Sequence, residues 1–262
     1  MMSEAPNASW PVYRFNLIVT GHSELSLDQM FRSLCEDLGR HAAGTCVFRV
    51  VKRIPQHRPP LRRTAPPRIV GQAKAQPSRL FELLARPLMN IARCERDFVI
   101  ILDDLEWDWH TRADQAFAHY RTIVDKVLHA PINVRAAVHF FVMMVEAYYL
   151  GDRTICESLP VGDLPDDVET IRNPKDKLKH AIPEFSERRH GAQFMSRLNL
   201  LAVLENPDTC RALRSLVKWC AVAMRLPIED AYQLRGGELY PITSGQISAL
   251  QAVLGGQHRP SV

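Results

Sequence analysis

The chain has 262 residues, 46% of them hydrophobic and 24% charged. These are the proportions of an ordinary globular protein with room for one large or two small cores, and they exclude disordered, collagen-like and coiled-coil chains. The net charge of +4, from 33 basic and 29 acidic residues, hides an uneven distribution: nine Lys or Arg and no acid lie between Arg49 and Arg79, leaving 24 basic against 29 acidic residues elsewhere.

In chain order, Tyr13 to Val19 is an apolar run of strand length ending at Thr20-Gly21, which predicts a buried strand. Leu27, Met30, Phe31, Leu34 and Leu38 then recur at helical spacing, with Gly39 as the expected C-terminal stop. Thr45 to Ile54 predicts a second strand. It feeds the basic segment, where six prolines accompany the nine cations. Two readings of that segment stand side by side, a solvated linker and a contact for a polyanion such as nucleic acid. Ser78 is expected to cap a helix from Arg79 to about Arg93, kinked or bounded at Pro87.

Asp97 to Leu102 predicts a fully apolar strand stopping at Asp103-Asp104, followed by a helix from about Thr111 to His129 and a strand from Val134 to Val142. Strands alternating with helices argue for a mainly parallel α/β sheet. From Glu146 onward helices dominate: Pro174 to Ala181, a long one from an Asn206-Pro207 start to about Met224, and Ser244 to Leu254 after the Arg235-Gly236-Gly237 turn.

Met1 to Val12 carries no apolar leader run. The most apolar stretch, Ala136 to Leu150, is fifteen residues holding His139 and Glu146, too short and too polar to span a bilayer. The six cysteines show no CxxC and no short spacing to a histidine, so they read as reduced core thiols and the chain as cytoplasmic, with no membrane partner.

In an open α/β sheet, ligands bind outside the carboxyl ends of the strands, so the acids there are the ones to weigh. Glu24 follows the first strand; Asp103, Asp104 and Glu106 end the third; Glu146 and Asp152 follow the fourth. Carboxylates converging in one crevice repel each other unless a hard cation such as Mg²⁺ or Mn²⁺ neutralises them, and that arrangement serves phosphodiester chemistry. The same acids also serve as helix caps or solvated loop residues. Trp107 and Trp109, just past the acidic cluster, are placed to stack on a base or to pack a loop onto the sheet. His139, within an apolar strand, reads as a core histidine, and His110 and His119, nine apart, fit no metal-binding spacing. The absence of GxxxxGK[ST], GxSxG and HExxH argues against P-loop, serine-hydrolase and zincin chemistry.

Five segments in order, LIVTGHSE (Leu17 to Glu24), PPRIVG (Pro66 to Gly71), VIILDDLE (Val99 to Glu106), MVEAYYLGD (Met144 to Asp152) and NPKDKLKHAIPEF (Asn173 to Phe185), carry a family likeness. Together, over roughly residues 13 to 225, they resemble the bacterial domain of unknown function 4276 family, which is related to the Toprim fold and its OLD-type nucleases. That resemblance implies a Toprim-like α/β domain, a small, mainly parallel sheet flanked by helices; with the helical pattern after Glu146, the expected division is an α/β core over 1–150, including the basic loop 49–79, and a mainly helical portion over 151–262 packed on it. It also implies Mg²⁺-dependent cleavage of nucleic acid in an anti-phage defence module. Thr20 stands where the family's first motif has its glutamate, and Glu24 matches the second acid of that motif. The acid-x-acid motif falls on Asp104-Leu105-Glu106 or begins at Asp103; Glu146, Asp152 and Lys175 match the later motifs.

Two functional readings follow. In a metal-dependent nuclease, Asp103, Asp104, Glu106 and Glu146 hold the metal, Glu24, Asp104 and Glu106 serve catalysis, and Lys175 or Lys177 steadies the phosphate. Arg58, Arg62, Arg63, Arg68 and Lys74 guide the strand. In a non-catalytic Toprim-like subunit, the chain binds nucleic acid or a partner ATPase. The loss of the first glutamate to Thr20 favours this second reading, and the retained acidic cluster favours the first.

Overall fold

The computed structural model describes residues 10–21, 27–59, 79–91, 95–227 and 241–256. Four strands, β1 (Val12–Thr20), β2 (Thr45–Ile54), β3 (Asp97–Leu105) and β4 (Ala136–Val142), form one sheet in the order β2-β1-β3-β4 with every neighbouring pair parallel. The helices are α1 (Leu27–Met30), α2 (Arg32–His41), α3 (Arg79–Ile91), α4 (Trp107–His110), α5 (Ala113–Val127), α6 (Val145–Tyr149), α7 (Arg153–Cys156), α8 (Pro174–Ala181), α9 (Ala192–Arg197), α10 (Leu200–Val203), α11 (Arg211–Ala223) and α12 (Pro241–Gly256). This is the α/β arrangement that the alternating pattern and the resemblance led us to expect.

The apolar runs make strands because both faces of a parallel sheet are covered. Phe15, Leu17 and Val19 of β1 and Phe98, Ile100 and Leu102 of β3 pack on one side with Leu34 and Leu38 of α2 and Leu213, Leu216 and Trp219 of α11. Ile18, Val99, Ile101 and Leu105 pack on the other with Leu80, Leu84 and Leu88 of α3 and Ala116, Tyr120 and Val124 of α5. Thus the C-terminal α11 completes the same core as the first strand.

The two edges are treated differently. All seven residues of β4 are buried, because α5 covers one face of that strand and α11, with α12, packs against it as well. The β2 edge instead exposes Arg49, Val51 and Lys52, and the register against β1 slips by one residue at Val51, a bulge with flanking cations that discourages further strand pairing.

Two details depart from local signals, at Gly39 and at Asn206-Pro207. Gly39 does not end α2, which runs on to His41; a Cβ there would sit 2.9 Å from the Gly44 carbonyl oxygen, so close backbone approach explains the glycine. Pro87 lies within α3, which runs on to Ile91 close to the end expected for it, so the proline is not its boundary. The helix expected from Asn206-Pro207 begins at Arg211 instead. There the buried Arg214 guanidinium donates to the carbonyls of Thr209, Leu204 and Asn206, and the intervening chain wraps around that charge rather than coiling. No described helix is long and apolar enough to cross a membrane.

Candidate functional site

The carboxyl ends of β1 and β3 meet at Thr20 and Asp103. Successive side chains of a strand point to opposite faces, so Asp103 lies on the α3–α5 side with Ile101 and Leu105, while Asp104 lies on the other. The register Val19 to Leu102 puts Thr20 beside Asp103, and the Thr20 hydroxyl donates to Asp103 Oδ1. The Tyr120 hydroxyl, from α5, donates to Oδ2 at 3.1 Å. Burial first, and the Asp103 charge next, push the Tyr120 phenol up, so it keeps its proton and remains a donor.

Arg58 completes the group. Its guanidinium forms an ion pair with Asp103 Oδ2 and donates to the Asp104 carbonyl, which also accepts from Gln56 Nε2 at 3.2 Å. Asp103 is 1% exposed. The start of the basic segment is therefore folded onto the end of β3, and Arg58, expected among the phosphate contacts, faces inward to neutralise the first acid of the cluster.

The other acids are dispersed. Glu106 is exposed at the N-cap of α4 without making a side-chain cap. Glu146, in α6, is buried; burial pushes its carboxyl up, a hydrogen bond to its own backbone and the charge of Lys175 oppose that, and its Oε2 has no hydrogen-bond partner among the described residues. Lys175 itself forms an ion pair with Glu187, and Lys177 is half-buried on α8. Asp152 is a structural cap: it accepts from the Thr154 amide and hydroxyl at 2.9 and 2.7 Å and from the Asn199 amide at 2.8 Å. Glu24, Arg62, Arg63, Arg68 and Lys74 lie outside the described residues.

A resident Mg²⁺ requires carboxylates with lone pairs to spare. Asp103 already meets a guanidinium and two hydroxyls, and among the described residues no group of three His, Cys, Asp or Glu side chains is arranged to hold a metal ion. The residues as placed do not fit the metal that the resemblance implies.

The second feature of this edge is a cleft of about 220 Å³ lined by Glu106, Trp107, Asp108, Met143, Met144, Arg172, Asn173 and Pro174. Met144 turns the chain out of β4 at φ 76° and ψ 163°, a region that glycine adopts far more readily. Around α4 the indoles are paired with guanidinium groups and a ring: Arg172 lies over Trp107 at 4.8 Å, Arg58 and Arg112 lie over Trp109 at 5.6 and 5.8 Å, and the His110 ring stacks on Trp107 at 4.6 Å. His139 belongs to the core, 2% exposed and pushed down to about 3 by burial, edge-on to Trp219.

Sequence reasoning did not single out Tyr120, Gln56, Arg172 or Glu169. Glu169 is buried and accepts from the Ala212 and Leu213 amides at 2.9 and 3.0 Å and from the Tyr148 hydroxyl at 2.8 Å, so it caps α11 from more than forty residues away. No local pattern signals such a cap. For Arg172, its position directly before the Asn173-Pro174 helix start was the one available hint. No family model matches the chain, and neither a characterised protein nor a solved structure matches it.

Proposed function

We propose that the chain is a non-catalytic, Toprim-like nucleic-acid-binding protein of a bacterial anti-phage defence module. The observation that carries this reading is the saturation of Asp103. A carboxylate held by Arg58, Thr20 and Tyr120 is a structural anion, and displacing the guanidinium with a metal would leave a half-buried cation without its partner. Support for nucleic acid as the ligand comes from the acid-free run of nine cations between Arg49 and Arg79 on a chain otherwise net acidic.

The test is binding of labelled DNA and RNA in EDTA, followed by incubation in Mg²⁺ and Mn²⁺. Binding without metal, weakened by reversing Arg62, Arg63 and Arg68 and with a flatter salt dependence, is expected, with no cleavage in either metal. The competing reading, a Mg²⁺-dependent nuclease on Asp104, Glu106 and Glu146, draws on the unpartnered Glu146 oxygen. Metal-dependent cleavage that disappears in Asp104→Ala and Glu106→Ala would establish it instead. Absence of any nucleic-acid binding would turn the assignment to a protein partner such as an ATPase.

A further inference from the structure

We propose that the cleft beside α4 receives an unpaired nucleobase, so that the ligand is single-stranded nucleic acid and Trp107 with Arg172 is its stacking platform. This inference rests on the nucleic-acid reading above and names its substrate class. Three observations bear on it. Trp107 is among the few exposed large hydrophobic residues of the described part of the chain, 38% exposed. Its ring is already part of a stack, with His110 at 4.6 Å and the exposed guanidinium of Arg172 at 4.8 Å. A planar base extends such a stack on the outer face of the exposed guanidinium, which presents a cationic plane. Finally, the stack borders a cleft of about 220 Å³ beyond the carboxyl ends of β3 and β4, where α/β folds bind ligands.

Charge placement selects the strandedness. Cations flank the platform: Arg172 above Trp107 and Arg112 over Trp109 in the same short helix. These track a single phosphate backbone. Glu106 and Asp108, in contrast, line the cleft itself. A duplex laid across it would bring phosphates against both carboxylates, whereas an inserted base meets them with its edge, where amino groups donate to carboxylates.

The experiment is fluorescence anisotropy with short labelled oligonucleotides, one DNA and one RNA single strand and the matching DNA duplex, on the full chain and on Trp107→Ala, Trp107→Phe and Arg172→Ala. Circular dichroism would verify that each variant is folded. We expect single strands to bind more tightly than duplex. Trp107→Ala should weaken them about five- to 150-fold, the range of one lost base stack, and Trp107→Phe should retain most of the affinity. Arg172→Ala should weaken binding and lower the salt slope by about one. The DNA and RNA arms identify which single strand the platform takes. Equal or tighter duplex binding, or full single-strand affinity in Trp107→Ala, overturns the platform while leaving nucleic-acid binding through the basic segment intact. Failure of every oligonucleotide to bind overturns both readings together.

Discussion

Thr20 donates its hydroxyl hydrogen to Asp103 across the β1–β3 pair, and the carboxylate that it helps to hold is closed from the other side by Arg58. A glutamate in place of Thr20 would put a second carboxylate beside Asp103, and the two would need a cation or a shared proton between them. With threonine there, the hydroxyl supplies a proton donor and a single guanidinium suffices for the charge. The residue at the end of β1 and the arginine that folds onto β3 thus form one compensated unit.

Removal of one member of that unit should be costly. Arg58 has 14% of its side chain exposed and Asp103 none, so Arg58→Met leaves a buried carboxylate without its counter-charge. The expected loss is about 3 kcal/mol or more in urea unfolding. Asp103→Asn in the same chain should recover much of it, because the amide needs no counter-ion. A loss for Arg58→Met no larger than about 0.5 kcal/mol, the scale of an exposed arginine, would mean that the ion pair does not form in solution.

Glu169 should make stability depend on pH. Its carboxyl has an ordinary value of 4.5 and is pushed up to about 7 in the fold, by burial chiefly, although the amides of α11 and the Tyr148 hydroxyl favour its charged form. Between those values the folded chain keeps a proton that the unfolded chain has released. Stability from this group is therefore full below about 4.5 and declines as pH rises through about 7, by up to roughly 3 kcal/mol. Glu169→Gln removes the titration. Urea titrations from acid to neutral pH should show the wild type losing stability relative to that variant, and parallel curves would contradict the shift.

Gly39→Ala tests whether close packing, rather than a chain stop, explains that glycine. In an exposed helix the change would stabilise by about 1 kcal/mol. Here the new methyl meets the Gly44 carbonyl oxygen, which belongs to the backbone leading into β2, so α2 and β2 must separate. A lowered melting temperature is expected, corresponding to about 1–3 kcal/mol. A raised one would show that the turn at residues 42–44 yields readily.

Much of the fold was legible in the chain. Strands expected at 13–19, 45–54, 97–102 and 134–142 are observed at Val12–Thr20, Thr45–Ile54, Asp97–Leu105 and Ala136–Val142, and the helix at Pro174–Ala181 has the bounds expected of it. These elements announce themselves because burial on both faces requires uninterrupted apolar runs, and because proline after asparagine marks a helix start. The site was legible in part. The acids at the end of β3 and the tryptophans after them stood out, but their roles did not, since period-two alternation sends Asp103 and Asp104 to opposite faces once the strand is in the sheet.

By itself the sequence determined the α/β class, the four strands and the concentration of positive charge, because each depends on residues near one another in the chain. Only the tertiary structure decided that Arg58 neutralises Asp103, that Glu169 caps α11 and that Arg214 displaces a helix start. The first two join residues more than forty positions apart, and the third depends on a charge buried by the assembled core. A side chain's chemistry is written in the sequence, but whether its charge faces solvent, a ligand or a counter-ion is set by what the folded chain brings against it.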